Sequence, residues 1–458
     1  MQKTRVPHFL FLAVFVLSTI LRFSLAIVNR EANDDHLEVV HLILDEKRLP
    51  EVDDCRECFQ PKLYYYFLAL IFRGMDINDI TSQVIVTQVL NAFLATVLIL
   101  ILWIFIKSWS VGNELLELIA FSLIAFNPNL IGINAQATND TLAFLFAILA
   151  IYFAWLFLKQ ERGRQLLVCL LFASLGIATK TNVFVAAFAI LAALLIKALT
   201  RKQSALLYSA ALFLPGILLL SFLNPLTQYL TNYRKSGSVV AISWPKRPFP
   251  AFFEKSYVAR PGIVSIQDGI FTFKFIDLLE YPLLTNGPAD YPAHRTSLWT
   301  QLYAHAHSIH FDNWPPSWGT RGSENFTLTR AIYILALLPY TIFLMGAGIS
   351  LAAFLTAFLK NSPDSLQRTD YGLFDVIFWG YMAFIIMYAL QYRDFSAMKA
   401  IFVYPALPSF FVFFIKSGDT IQRILKEKKW FMMVLSLVGI ALVILYSLDV
   451  YILIRHLH

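Results

Sequence analysis

The feature that most constrains this chain is the recurrence of apolar runs about twenty residues long, from 8–28 near its start to 430–453 near its end. Crossing a hydrocarbon core of roughly 30 Å takes about 20 residues of helix. Helix is the form that satisfies every backbone polar group within one segment where water is excluded. The mean hydropathy of +0.62 agrees. So does a charged share of 15%, where soluble domains hold about a quarter. The chain reads as an all-α polytopic membrane protein with about eleven transmembrane helices. Their expected spans are 8–28, 81–106, 115–133, 138–158, 165–180, 182–199, 204–223, 329–358, 371–390, 399–416 and 430–453.

Orientation follows from the basic residues. With a cytoplasmic N-terminus, Lys107, the Lys159/Arg162/Arg164 group, Lys197 with Arg201 and Lys202, Lys360 with Arg368, and the run from Lys416 to Lys429 all fall on one side. That is the positive-inside pattern. The net charge of +7 is therefore a charge of loops, and with no basic-aromatic stripe or nucleic-acid motif it does not point to nucleic acid. The first span has a basic start (Lys3, Arg5) but no small-x-small site before Arg30, which predicts an uncleaved signal anchor.

Two outer regions have real length. The organisation expected is an N-terminal transmembrane module over 1–223 with a long first outer loop at 29–80, an extracytoplasmic region at 224–328, and C-terminal helices over 329–458. In the first loop, Leu37, Val40, Ile43 and Leu44 recur at helical spacing opposite Glu38, Asp45, Glu46 and Lys47, which predicts an amphipathic interfacial helix. Leu63 to Phe72 is apolar but too short to span, so a second interfacial helix or re-entrant piece is expected there. In the second region, the stretches around Leu298–His305 and Phe311–Pro316 read as surface-lying pieces with aromatic anchors. Cys55 and Cys58 form a lone CxxC, and outside the membrane a local disulfide is its plain reading.

Ionisable and amide side chains at span ends mark function, because burying them is costly. Those expected on the outer face are Asp34, Asp35 and His36, then Gln60 and Lys62 leading into Tyr65, then Asn127 and Asn129. Asn139 with Asp140, Lys180, Arg393 and Lys399 complete the set. Each has an ordinary structural use: Asp34 as a macrodipole partner, Asn139 as a cap, Lys180 and Arg393 as interfacial snorkels. Gathered on one side, they suit a polar cavity. A carboxylate there can act as general base on an acceptor. Cations such as Lys62, Lys180 or Arg393 can stabilise a departing phosphate. Neighbouring spans can hold a lipid tail. The alternative is a transporter or flippase for a lipid-linked or ionic substrate, which would put its charges nearer the midplane and show paired halves. A non-catalytic assembly subunit is a third reading.

The order of these features resembles the lipid-dependent glycosyltransferases of the GT-C fold, in particular the protein O-mannosyltransferases and bacterial aminoarabinose transferases. The family's first-loop acidic pair corresponds to Asn33-Asp34-Asp35-His36. Its Pro-Pro-Leu-Tyr-like motif corresponds to Gln60-Pro61-Lys62-Leu63-Tyr64-Tyr65, its Asn-Asp pair to Asn139-Asp140, and its Thr-Lys-Gly-like turn to Thr179-Lys180-Thr181. A late Pro-x-x-Pro pattern appears between Lys399 and Pro408. Three departures stand out: Asp35 where Glu is common, Lys62 for the second Pro, and Thr181 for Gly.

The resemblance implies inverting transfer of a sugar from a polyprenyl-phosphate donor to a protein, glycan or lipid acceptor. The first-loop Asp34 or Asp35 would be the base. His36, Gln60, Lys62, Tyr65, Asn139, Asp140, Lys180, Arg393 and Lys399 would serve the donor phosphate and substrate. It implies no nucleotide site and leaves a divalent metal ion open, with Asp34, Asp35, His36, Asp140, His294, His305, His307 and His310 as possible ligands. A prokaryotic plasma membrane, or the endoplasmic reticulum in a eukaryote, is the expected location.

Overall fold

A computed structural model describes residues 6–30, 35–109, 112–201, 203–239, 262–282, 284, 293–309, 324–359, 372–393, 395–426 and 429–457. Its regular elements are all helical. They are α1 (His8–Val28), α2 (His36–Glu46), α3 (Leu63–Gly74), α4 (Ile80–Trp109), α5 (Glu114–Ala125), α6 (Pro128–Asn134), α7 (Asp140–Gln160), α8 (Gly163–Thr179) and α9 (Val183–Arg201). There follow α10 (Ser204–Phe222), α11 (Tyr229–Ser236), α12 (Ile266–Ile270), α13 (Phe275–Glu280), α14 (Leu298–His307), α15 (Glu324–Leu359), α16 (Gly372–Tyr392), α17 (Leu407–Ile424) and α18 (Lys429–Leu457).

Among the described residues eight segments are long and apolar enough to cross a membrane: α1, α4, α7, α10, Phe326–Thr356 within α15, α16, Ala400–Ile424 ending in α17, and α18. The chain is thus a multi-pass membrane protein. Every one of the eleven expected spans coincides with helix, but three differ from a simple crossing. The span expected at 115–133 is broken into α5 and α6, bent by 48°. The break has a local cause. Pro128 occupies the first turn of α6, and Asn127 caps it by accepting from the Leu130 N–H at 2.9 Å, so the chain restarts a helix there. Counted as one span, the pair makes nine. The spans expected at 165–180 and 182–199 are the shorter apolar helices α8 and α9. The 17 residues of α8 reach only roughly 25 Å at about 1.5 Å per residue.

The core lies between these helices. Inside α8, Gly176 stands against Val183 and Phe146, which lets α7, α8 and α9 pack closely. In α15, a Cβ at Gly346 would run into the backbone carbonyl of Phe413, so α15 and α17 approach at backbone distance, the small-residue contact that membrane helices favour.

One expectation is corrected here. The Leu298–His305 stretch does not lie on a surface. As α14 it is buried over Leu298 and Thr300–His305. Asn127 donates to the Ala306 carbonyl at 2.6 Å and Asn129 to that of His305. His307 Nδ1 meets the Tyr446 hydroxyl at 2.6 Å, and the hydroxyls of Ser308 and Tyr333 lie 2.8 Å apart. These contacts, together with its burial, place α14 among neighbouring helices rather than at a surface. The Phe311–Pro316 piece lies outside the described residues.

Candidate active site

The site is built where the first loop folds onto the turn between α6 and α7. Tyr64, Tyr65 and Leu68 of α3 are fully buried and share one apolar cluster with Leu37, Val39 and Val40 of α2 and with Ala137 and Leu142. Alternation of apolar and polar positions in α2, together with the tyrosine run in α3, produces this packing: each short helix has one greasy face and neither can span.

A chain of polar contacts runs through that packing. His36 Nδ1 lies 2.6 Å from the Tyr65 hydroxyl, with the two rings stacked. Next to it, the Asn91 amide of α4 donates to the Tyr64 hydroxyl at 3.0 Å and to the carbonyls of Gln136 and Thr138 at 2.6 and 2.9 Å. The Asn139 amide donates to the Thr179 carbonyl at 3.0 Å. Beside it, Lys180 Nζ pairs with Asp140 Oδ1 at 2.6 Å, with side-chain exposures of only 10% and 7%. Burial, opposed by the Asn91 hydrogen bond and reinforced by the Asp140 charge, pushes the Tyr64 phenol well above its ordinary pKa, which keeps it protonated.

Several buried atoms along this chain have no hydrogen-bond partner among the described residues: Asn91 Oδ1, Asn134 Nδ2, Gln136 Nε2, Thr138 Oγ1 and Asn139 Oδ1. Buried polar atoms are nearly always paired. So many unpartnered amides and hydroxyls around one ion pair describe a place able to accept the hydroxyls of a polar ligand.

Of the acidic pair, Asp34 lies outside the described residues. Asp35 begins α2, is 56% exposed and stands 3.6 Å from the Arg56 guanidinium.

Lys62 is held inside the first loop. Its side chain is fully buried, and its ammonium donates to the carbonyls of Cys58 and Gln60. Cys55 and Cys58 are joined as a disulfide, so Lys62 ties the bridged turn to α3. Burial, partly offset by the charges of Asp54 and Glu57, lowers its pKa to about 7. The Lys62 backbone N–H donates to the Leu226 carbonyl at 2.6 Å, which fastens the first loop to the segment after α10.

Arg393 follows α16 in a left-handed conformation (φ 48°). Its guanidinium donates to the Val264 carbonyl at 3.0 Å, and its own carbonyl accepts from the Gly262 N–H at 2.8 Å. Lys399 precedes the 3-10 turn Ala400–Ala406. As for metal ligands, no three His, Cys, Asp or Glu side chains gather among the described residues. There, His294 bonds Gln301 and the Tyr281 carbonyl; His310 lies outside the described residues.

The residue that sequence reasoning passed over is Asn91. Its signal was present, because Gln83, Gln88 and Asn91 are amides inside a 30-residue helix otherwise apolar along most of its length, and a buried amide in a span needs a partner.

Residues 60–223 match the family described as dolichyl-phosphate-mannose-protein mannosyltransferase. No curated protein matches the chain. Among solved structures, the archaeal oligosaccharyltransferase AglB from Archaeoglobus fulgidus, in complex with an inhibitory peptide and a dolichol-phosphate, is similar with a TM-score of 0.47 and 11% identity. The match covers 96% of this chain and 55% of AglB, so the chain spans about half of AglB's length. ArnT from Cupriavidus metallidurans, apo and bound to undecaprenyl phosphate, is similar with a TM-score of 0.37 and 15% identity over 90% of this chain and 78% of ArnT. The resemblance read from motif order is borne out in the segment that carries Gln60, Lys62, Asn139, Asp140 and Lys180, which matches the dolichyl-phosphate-mannose-protein mannosyltransferase family over residues 60–223.

Proposed function

We propose that this chain is a membrane glycosyltransferase that moves a sugar from a polyprenyl-phosphate donor to an acceptor on the extracytoplasmic side, with inversion at the anomeric carbon. The observation that carries the reading is the buried Asp140–Lys180 pair, two residues after the Thr138 carbonyl that Asn91 holds together with the first-loop Tyr64 hydroxyl, within a segment matching a family named for transfer from dolichyl-phosphate-mannose. In this reading Asp34 or Asp35 removes the acceptor proton, and the acceptor oxygen or nitrogen attacks the anomeric carbon. The bond to the lipid phosphate breaks, and the phosphate leaves carrying the electron pair. The unpartnered amides around Asn139 receive sugar hydroxyls. Lys180, Arg393 and Lys399 supply positive charge for the phosphate, with Asp140 holding Lys180 in place until the donor arrives.

The reading also assigns a side. Lys159 ends α7 and Asp140 begins it, so the two lie roughly 30 Å apart at about 1.5 Å per residue. With the basic end cytoplasmic, Asp140, Lys180 and the first loop face outward. The test is substitution: Asp34→Asn and Asp35→Asn, made singly, should reduce transfer at least about a hundredfold for the base while leaving the folded protein intact. Full activity in both variants would remove the proposed base.

A further inference from the structure

Away from the polar chain just described, α2, α3 and the start of α4 enclose an open groove of about 720 Å³. Its lining includes the apolar side chains of Leu70, Phe72, Ile77 and Ile80. The lining also carries charges of both signs, from Asp45 and Lys47 around the end of α2 and from Arg73 and Asp76 around the end of α3. Arg48, also in the lining, is taken up by Glu46 and Asp54 at 2.5 and 2.6 Å, whereas Lys47 and Arg73 form no ion pair among the described residues.

Two observations fix what such a groove faces. Ile80, which lines it, is the first residue of the candidate span Ile80–Trp109, so the groove sits at the depth where a span meets the headgroup layer. The apolar surface also continues beyond the groove. Tyr66, Phe67, Leu70 and Ile80 are 41%, 41%, 53% and 52% exposed, a stripe that in a membrane protein meets lipid chains rather than water.

We propose that this groove is a binding site for a zwitterionic phospholipid of the adjoining leaflet. The acyl chains lie on Tyr66, Leu70 and Ile80, the phosphate is taken by Lys47 and Arg73, and the headgroup ammonium by Asp45 and Asp76. A guanidinium and an ammonium suit a phosphate through charge-assisted hydrogen bonds, while the two carboxylates would repel a purely anionic headgroup. The site goes beyond sugar transfer and does not depend on it. Its consequence for the first loop is to fasten the outer ends of α2 and α3 to the bilayer.

The experiment is native mass spectrometry of the full chain in detergent, with phosphatidylethanolamine or phosphatidylglycerol of identical acyl chains titrated in. The expected result is one retained phosphatidylethanolamine, bound at least about tenfold more tightly than phosphatidylglycerol. Lys47→Glu with Arg73→Glu should weaken it by at least about tenfold. Gel filtration of that double variant checks folding, and Arg73→Ala, a gentler change at an exposed position, should weaken binding in the same direction if the double variant aggregates. Equal binding of the two lipids, retention of phosphatidylethanolamine by the charge-altered variants as by the wild type, or no retained lipid would each overturn the proposal.

Discussion

Removing one member of the Asp140–Lys180 pair is the sharpest perturbation available. At 2.6 Å, an effective dielectric of about 20 gives an attraction of roughly 6 kcal/mol, much of it offset by the cost of taking both charges out of water. Breaking such a pair from one side is costly because the survivor stays buried and uncompensated, about 3–5 kcal/mol. Asp140→Asn and Lys180→Met should therefore each lower the denaturation midpoint sharply in detergent. The double variant carries neither charge and should recover most of that loss, giving a coupling of at least about 2 kcal/mol in a double-mutant cycle. The assay is denaturant-induced unfolding followed by intrinsic fluorescence, run on all four proteins in one detergent. Single variants within about 1 kcal/mol of the wild type, or additive effects in the double, would refute the view that this pair is a buried, mutually dependent unit.

Three further outcomes follow from the same structure. Asn91→Leu leaves the Tyr64 hydroxyl and two carbonyls without their donor and should cost about 1–3 kcal/mol, read by the same unfolding assay, with transfer activity falling as Tyr64 is released. Because burial lowers the Lys62 pKa to about 7, the unfolded chain binds the additional proton between roughly pH 7 and 10. Stability should therefore rise with pH across that window, by at most about 1.4 kcal/mol per unit, and Lys62→Met should flatten the slope between pH 7 and 9. Gly346→Leu places a side chain against the Phe413 carbonyl and should separate α15 from α17, costing about 1–3 kcal/mol, whereas Gly348→Ala, with open space around its position, should be tolerated.

How much of this was legible beforehand depends on the physical signal involved. Long apolar runs announce spans directly, and each expected one is helical. The break at Phe126–Asn127 was less visible because a proline in the first turn of a helix is compatible with either a kink or a fresh start. The burial of α14 could not be read from composition, since Thr300 and Gln301 look like surface residues until Lys274 and His294 supply their partners, and Asn127 and Asn129 reach the helix's last carbonyls from far away in the chain. Lys62 is similar: a lysine beside a tyrosine run suggests a phosphate ligand, but its carbonyl partners at Cys58 and Gln60 come from a bridged turn whose shape is a tertiary fact. The Asp140–Lys180 pairing joins residues forty apart, and only the motif order hinted that they would meet.

In the proposed reaction a sugar leaves a polyprenyl phosphate at this site. The direct measurement is to incubate the purified full chain with a panel of polyprenyl-phosphate sugars and an acceptor fraction, and to follow both the donor and the freed polyprenyl phosphate by mass spectrometry. One donor should be consumed, polyprenyl phosphate should accumulate in equal amount, and turnover should fall at least about a hundredfold when Asp34 or Asp35, whichever is the base, is changed to Asn. Donors left unchanged by a folded, wild-type protein in the presence of acceptor, or turnover untouched by either substitution, would contradict it.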